Sequence, residues 1–200
     1  YIAPYIDSHT IQGGVGEKIR SQIRIWREFN HEAHLFALSP DKIEDKSADI
    51  FQYGSAFSLP VLQSINRMVS RSMAVLRLID AVRKYRPTII YMRFGRYVFP
   101  LQKIFAIAPV VFELNSDDVN ESWHLGLPSY WYNRLTRGVL LRNASGLVSL
   151  SREISEKLDN RKFGKHQRII ANGIDLRSYA PLIRPQNSHP VITLVGSPGM

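Results

Sequence analysis

Short apolar runs of strand length alternate along the chain with longer stretches of helical periodicity, and this alternation limits the fold more than any other feature. The runs occupy residues 1–4, 33–38, 88–92, 109–114, 146–150, 168–171 and 191–195. Most are rich in β-branched residues and are bounded by Pro, Gly, Asn or Ser, which is typical of buried parallel strands. Residues 41–56 are polar and poorly periodic, so we predict a loop or a weak connection there.

Amphipathic stretches fill the intervals between these runs. Apolar side chains recur at Ile19, Ile23 and Trp26, with charged residues on the opposite side, and this spacing predicts a helix. Further helices are predicted over residues 61–85, 130–142 and 151–158. Strands that alternate with helices predict an α/β fold, namely a doubly wound, Rossmann-like parallel sheet with helices on both faces.

The last quarter of the sequence predicts a domain boundary. Three prolines lie within residues 176–190, a composition typical of an interdomain linker. Another apolar run of strand length follows it. We therefore expect one domain over residues 1–175, a linker over 176–190 and the first strand of a second domain over 191–200.

Composition excludes several kinds of site. The chain has no cysteine, which excludes disulfides and thiolate metal sites and fits a reducing cytosol. The six histidines lack metal-ligand spacing, so no metal site is predicted. No apolar run approaches the ~20 residues that a membrane-spanning helix needs. Neither a Ser-His-Asp arrangement nor a G-x-S-x-G elbow occurs.

Positive charge is concentrated in one part of the chain. The formal net charge is +9, and nine basic residues but only one acid lie between positions 61 and 108. Such a concentration attracts phosphates, nucleic acid or an anionic membrane surface, although a solvated helix face has the same composition. No RNA-binding or helix-turn-helix motif is present, so nucleic acid is not expected as a partner. Aromatic and basic residues mingle over 123–142, as in an interfacial helix or in a helix with an aromatic inner face.

Three glycines stand where the first predicted strand leads into a helix. Gly13, Gly14 and Gly16 would let backbone amides approach a phosphate at the positive end of the helix dipole. A tight turn or close packing is the alternative reason for glycine here. A dinucleotide-binding motif would need glycine where Ile19 stands, and no Gly-Lys-Ser/Thr triplet of a Walker phosphate loop occurs.

Motifs in six places, in the same order along the chain, resemble those of one enzyme family. PVVFELN at 109–115 resembles P-x-V-x-E-x-N, and RIIANGID at 168–175 resembles V-I-P-N-G-V-D. The other four lie in residues 13–34, 87–93, 143–151 and 195–197. The chain resembles the N-terminal, acceptor-binding lobe of the family 4 (group 1) retaining glycosyltransferases.

The resemblance implies one lobe of the two-lobed GT-B fold. A nucleotide-sugar would be the donor substrate, with no cofactor and no bound metal. The sugar would pass with retention of configuration to a glycan or a lipid-linked acceptor during polysaccharide biosynthesis. The protein would be cytoplasmic, with peripheral contact to an anionic membrane at its inner surface. A non-catalytic sugar- or phosphate-binding Rossmann-like module is the alternative, and paired glutamates of the family in a downstream lobe would distinguish the two.

The resemblance also implies which residues form the site. Those mapped to the donor are Gly14, Gly16, Asn172, Gly173, Gly196 and Ser197. Those expected to bind the acceptor are Arg93, Glu113, Asn115 and Ser116. Charged side chains at the carboxyl ends of parallel strands lie at the ligand crevice. The alternative is that Glu113 only pairs with Arg93 of a neighbouring strand.

Position 115 departs from the family pattern. Many relatives have a histidine there that faces the transferred sugar. Asn115 can form a hydrogen bond to a sugar hydroxyl but cannot shuttle a proton, so no catalytic residue is assigned. If residues 191–200 open a donor lobe, the 200 residues alone should transfer no sugar and should bind nucleotide-sugars with at best ~mM affinity.

Overall fold

A single parallel sheet organises the protein. The computed structural model describes residues 1–54, 60–157 and 166–173 of the 200-residue chain. The strands in these ranges are β1 (Ile2–Ala3), β2 (Leu35–Ser39), β3 (Ala48–Gln52), β4 (Ile90–Arg93), β5 (Val110–Leu114), β6 (Gly146–Ser149) and β7 (His166–Ile169). Their order in the sheet is β3-β2-β1-β4-β5-β6-β7, and each neighbouring pair is parallel. The predicted parallel α/β fold is confirmed.

Helices cover both faces of this sheet, as predicted. They are α1 (Ser8–Gln12), α2 (Gly14–Glu28), α3 (Pro60–Tyr85), a 3₁₀ helix (Leu101–Ala106), α4 (Asp118–His124), α5 (Leu127–Asn143) and α6 (Arg152–Lys157). On one face, Ile19 and Ile23 of α2 pack in a cluster with Tyr1, Ala3 and Leu35. Because the two isoleucines are one helical turn apart, a single face of α2 is buried.

The opposite face carries the larger core. Five apolar residues of α3 are buried in it: Ala74, Val75, Leu78, Ile79 and Val82. They pack with Phe36, Met92 and Phe112 from three strands, while the 3₁₀ helix and α5 extend the same cluster. Burial of each large aliphatic side chain stabilises the fold by about 1.5–3 kcal/mol.

Several predicted boundaries were wrong. Residues 48–52, expected to be a loop, form edge strand β3, all five residues of which pair with β2. The first strand does not lead directly into the glycine turn, because α1 intervenes and Asp7 caps it by accepting a hydrogen bond from Thr10 N at 2.6 Å. The 3₁₀ helix and α4 were not predicted, and β7 begins at His166 rather than two residues later.

The sheet changes its winding direction at β1. This strand lies between β2 and β4, so the chain moves outward first to one side and then to the other. Ligands of doubly wound folds bind outside the carboxyl ends of the strands at such a point. The predicted linker over 176–190 and the predicted strand over 191–195 lie outside the described residues.

Candidate functional site

A cleft opens beside α2 near the carboxyl ends of β5 and β6. Its volume is about 460 Å³, and we refer to it as the α2 cleft. Its lining includes Gly14, Lys18 and Trp26 of α2, Glu113 of β5, and Asn172 and Gly173 after β7. Four of the predicted site residues, Gly14, Glu113, Asn172 and Gly173, therefore share one cavity wall.

A buried ion pair joins α2 to the end of β5. Glu113 is only 1% exposed and accepts a hydrogen bond from the Tyr1 hydroxyl at 2.8 Å. Lys18 Nζ donates to Glu113 Oε1 and also to Asn115 Oδ1, the latter at 3.0 Å. Both carboxylate oxygens of Glu113 thus have partners, so Glu113 serves here mainly to fix Lys18 and, through it, Asn115.

Within the described residues, Arg93 is not the ion-pair partner of Glu113. The two residues are opposite each other in the β4–β5 register, yet within the described ranges the ion pair of Glu113 is made with Lys18. Arg93 ends β4 and does not line the α2 cleft. The alternative of an Arg93–Glu113 pair is therefore not what the structure contains.

Aromatic rings form the inner wall of the α2 cleft. Trp26 meets Tyr91 edge-on, with 5.3 Å between ring centroids, and Tyr1 lies 5.6 Å from Tyr91. Burial, and then the negative charge of Glu113, raise the pKa of Tyr91 to about 12. The same two causes raise the pKa of Tyr1. Both phenols are neutral at physiological pH, so Lys18 and Glu113 supply the charge at this wall.

The glycines at the start of α2 have different surroundings. Gly14 is the first residue of α2, and a Cβ placed on it would meet nothing within 4 Å. Its side of the helix terminus is open, as an approaching phosphate requires. A Cβ on Gly16 would lie 1.9 Å from Ile11 O, so glycine at this position permits α1 to pack on α2. Gly16 fits the packing alternative rather than ligand contact.

Ser116 lies in a different cleft, between the β5–α4 connection and α5. Asp118 lines the same cleft and forms a two-point ion pair with Arg137, at 3.1 Å to Nε and 2.8 Å to Nη2. Asn133 Nδ2 donates to the same carboxylate at 2.8 Å. These contacts hold α4 against α5. Gly196 and Ser197 lie outside the described residues.

Sequence reasoning missed Lys18 and Tyr91. Lys18 was assigned to the charged side of α2, where a solvated lysine has the same pattern. Its position one turn after the helix start was the available signal, because that turn faces the carboxyl edge of a doubly wound sheet. Tyr91 was treated only as part of a strand.

The described part of the chain contains no group of three or more His, Asp or Glu residues placed to hold a metal ion. Within the same ranges, none of the helices combines the length and the apolar character that a bilayer crossing needs.

Comparison with known protein families gives a match over most of the chain. The model of a family described as Glycosyltransferase Family 4 matches residues 12–178. That range includes all predicted site residues except Gly196 and Ser197. No curated protein matches the chain significantly.

Proposed function

Because the chain belongs to glycosyltransferase family 4, we propose that the α2 cleft faces the diphosphate of a nucleotide-sugar in a transfer that retains the anomeric configuration. The family implies a nucleotide-sugar donor and an acceptor. The observation that supports this placement is the open amino end of α2 at Gly14, which lines the same cavity as Asn172 and Gly173. Free amide groups at a helix start favour an anion at this end.

The ion pair in the cleft has a positioning role in this proposal. Lys18 neutralises Glu113 and holds the side-chain oxygen of Asn115. Asn115 then offers its amide group to a sugar hydroxyl. In the transfer, a bond forms between the acceptor oxygen and the anomeric carbon while the bond from that carbon to the diphosphate oxygen breaks. The acceptor proton passes to the leaving phosphate, so no protein base is needed at position 115.

We propose that residues 1–175 form the acceptor-binding domain, that 176–190 form a linker and that 191–200 begin a donor-binding domain. The prolines of the linker segment support this division. In this arrangement Gly196 and Ser197 contact the donor from the opposite wall. The described residues alone would then bind nucleotide-sugars weakly and transfer none.

The acceptor in this proposal is a glycan or a lipid-linked molecule used in polysaccharide biosynthesis. An apolar stripe on α5 supports contact with the inner surface of the cytoplasmic membrane. Leu127, Trp131 and Leu135 are spaced four residues apart and are 57%, 54% and 73% exposed. A net charge of +9 adds attraction to anionic lipid.

Placing a negative charge at the helix start tests the donor site. Gly14→Asp meets no steric obstacle, and its charge suits the amino end of α2, so the fold should keep its stability. The same charge repels a diphosphate, so we expect at least a tenfold loss of nucleotide-sugar affinity in calorimetric titration of the two-lobed protein. Gly14→Ala is the matched control and should bind as the unmodified chain does.

Two outcomes would contradict parts of this proposal. Equal affinity of Gly14→Asp and Gly14→Ala would exclude the amino end of α2 as the diphosphate site. Binding of a sugar or phosphate by the complete two-lobed protein, without turnover, would instead support the non-catalytic module.

A further inference from the structure

A second cavity on the other side of the sheet gathers positive charge. Its volume is about 820 Å³, and it lies between α3 and the segment that follows β4. Three arginines and four tyrosines line it: Arg67, Arg71, Arg96, Tyr5, Tyr53, Tyr97 and Tyr132. We call it the arginine cleft. No carboxylate belongs to its described lining.

Arg71 is built into the floor of the arginine cleft. Its Nε is buried and has no hydrogen-bond partner among the described residues, and Nη2 makes a long 3.4 Å contact with Pro4 O. The guanidinium lies 5.3 Å from the ring centroid of Tyr53. Burial is the main cause that lowers the pKa of Arg71, and the positive charge of Arg96 lowers it further. An arginine remains charged under such conditions, so the unused donors of Arg71 favour an anionic ligand over a neutral one.

Within the part of the chain that the structure describes, no ion pair offsets the charge of the three arginines of the arginine cleft. None of Arg67, Arg71 and Arg96 forms an ion pair with an acid among the described residues. Residues 55–65, which precede Asn66 and Arg67 in the chain, contain no Asp or Glu. On the Tyr5 side, Asp7 accepts a hydrogen bond from the Tyr5 hydroxyl at 3.2 Å, and the negative charge of Asp41 also acts on that hydroxyl. Like charges brought together without a counter-ion destabilise the protein, unless a bound anion offsets the repulsion.

The arginine cleft lies at the carboxyl edge of the sheet. Tyr5 follows β1, Pro40 follows β2, Tyr53 follows β3 and Arg96 follows β4. The α2 cleft opens at the same edge, near the ends of β5 and β6 and on the opposite face. A ligand held by the arginines would therefore extend along the edge at which the donor is placed.

Exposed apolar side chains surround the opening. Met68 of α3 is 65% exposed and Phe99 is 61% exposed, and both line the arginine cleft. Tyr132 of α5 also lines it and donates to Tyr97 O at 3.0 Å. The ligand that matches this surface has a strongly anionic group and an apolar remainder.

We propose that the arginine cleft binds a phosphate or diphosphate group of the acceptor, which is therefore an amphiphilic phosphate ester. That the phosphate belongs to the acceptor rests on the proposed function. That the cleft binds a phosphate rests on the cavity alone. A phosphate suits the site better than a carboxylate, because it carries more negative charge and a third acceptor oxygen for the three guanidinium groups that line the cleft.

Pyrophosphate is the probe for the anion site. Titration of the full chain with sodium pyrophosphate, followed through the arginine Nε–H resonances by NMR, should shift the Arg71 and Arg96 signals saturably, and Arg96 remains as the reporter when Arg71 is replaced. Substitution Arg71→Gln should weaken this binding about tenfold or more, because hydrogen bonds to charged groups are lost. Arg67→Gln changes an exposed position and should also weaken pyrophosphate binding. This variant keeps the test valid if Arg71→Gln does not fold.

A matched control separates this site from general charge. Arg83 is exposed on the same helix and does not line the cleft, so Arg83→Gln makes the same charge change elsewhere. The control should retain the affinity of the unmodified chain. An equal loss in Arg83→Gln, or a pyrophosphate response at the Gly14 amide with none at Arg71, would overturn the proposal. Tighter binding of glucuronate than of pyrophosphate would also overturn it.

Two further arms identify the source of the phosphate. Binding of soluble pyrophosphate at Arg71 supports an acceptor phosphate. A shift at Arg71 with phosphatidylcholine vesicles that contain phosphatidic acid, and not with pyrophosphate, would assign the phosphate to a bilayer lipid and overturn the acceptor assignment. Neither arm needs transferase turnover. If sugar transfer were absent while pyrophosphate still bound at Arg71, only the proposed function would be contradicted.

Discussion

Lys18 connects α2 to the end of β5 across the α2 cleft. Its Nζ donates to Glu113, which is almost fully buried, and to Asn115 at 3.0 Å. Removing one partner of a buried ion pair costs more than removing both, because the remaining charge stays unpaired in a low-dielectric environment. The stability of the cleft should therefore depend on the pair rather than on either member.

Lys18→Met should lower the free energy of unfolding by about 3 kcal/mol, since the Glu113 carboxylate loses its only ionic partner in the described structure. The double variant Lys18→Met/Glu113→Gln should recover at least half of this loss. Urea denaturation of the four proteins in the cycle measures the coupling. Additive effects of the two substitutions would contradict the ion-pair account.

Tyr91 makes the stability of the protein depend on pH in the alkaline range. Its pKa is raised from 10.0 to about 12, so the folded state holds the phenolic proton more tightly than the unfolded chain does. This contribution to stability is complete below pH 10 and is lost as the pH rises through about 12. Tyr91→Phe should make the fall in unfolding free energy over this window less steep. Tyr1, whose pKa is also raised, retains part of the dependence.

Denaturation of the unmodified chain and of Tyr91→Phe at several pH values between 8 and about 12 tests this, with tyrosinate absorbance recorded in parallel. Parallel stability curves for the two proteins would show that Tyr91 titrates as a solvent-exposed tyrosine.

Residue identity in the candidate site was predictable only in part. Glu113 lies near the end of one apolar run and Asn172 follows another. Because parallel strands bring their carboxyl ends together, the sequence pattern indicated both. Lys18 belongs to a helix whose charged side faces water over most of its length. Its role depends on the distance between α2 and β5, which no local pattern encodes.

At the scale of secondary-structure elements, α1 packs closely on α2 at Gly16. A Cβ on Gly16 would lie 1.9 Å from Ile11 O and 2.5 Å from Ile11 C, both backbone atoms that cannot move alone. Gly16→Ala should lower the free energy of unfolding by about 2–3 kcal/mol, because α1 must shift away from α2. Thermal and urea denaturation measure the loss.

Gly14→Ala is the control for the same substitution in open space. No atom lies within 4 Å of its added methyl group, and the backbone is already helical. Its stability should be unchanged or higher by up to ~1 kcal/mol, because alanine restricts the unfolded chain. Equal losses in both variants would mean that Gly16 is not a packing position.

The predictability of the elements follows their length and burial. The central strands were evident because they are buried on both faces and therefore read as continuous apolar runs. Strand β3 was not predicted because an edge strand pairs on one side only, and its sequence ADIFQ is partly polar. Helices α1 and α4 span 5 and 7 residues, too few for a periodic pattern to be distinguished from a turn.

For the whole molecule, charge and exposed apolar surface should act together at a membrane. We expect the chain to be retained by vesicles that contain anionic lipid at low salt. Retention should fall as salt rises toward ~0.15 M, where screening acts within roughly 8 Å. The double variant Trp131→Ala/Leu135→Ala should bind less without loss of stability, because both side chains are exposed.

Ile89→Ala removes an exposed apolar side chain at the other end of the sheet, before β4, and should leave retention unchanged. Sedimentation with the vesicles measures all three proteins. Equal retention by neutral vesicles at every salt concentration would exclude the electrostatic contribution.

The central position of β1 also has a consequence for synthesis on the ribosome. This strand is made first, yet one of its two neighbours is β4, which follows α3 in the chain. The Lys18–Glu113 contact joins residues 95 positions apart, and Asn172 completes the wall later still. At ~5–20 residues per second, the nascent chain waits roughly 10–30 s between the appearance of Lys18 and that of Asn172. Until β4 has been made, one edge of β1 has no partner strand, so the nascent protein depends on its α2 cover, or on a chaperone, to avoid pairing with another chain.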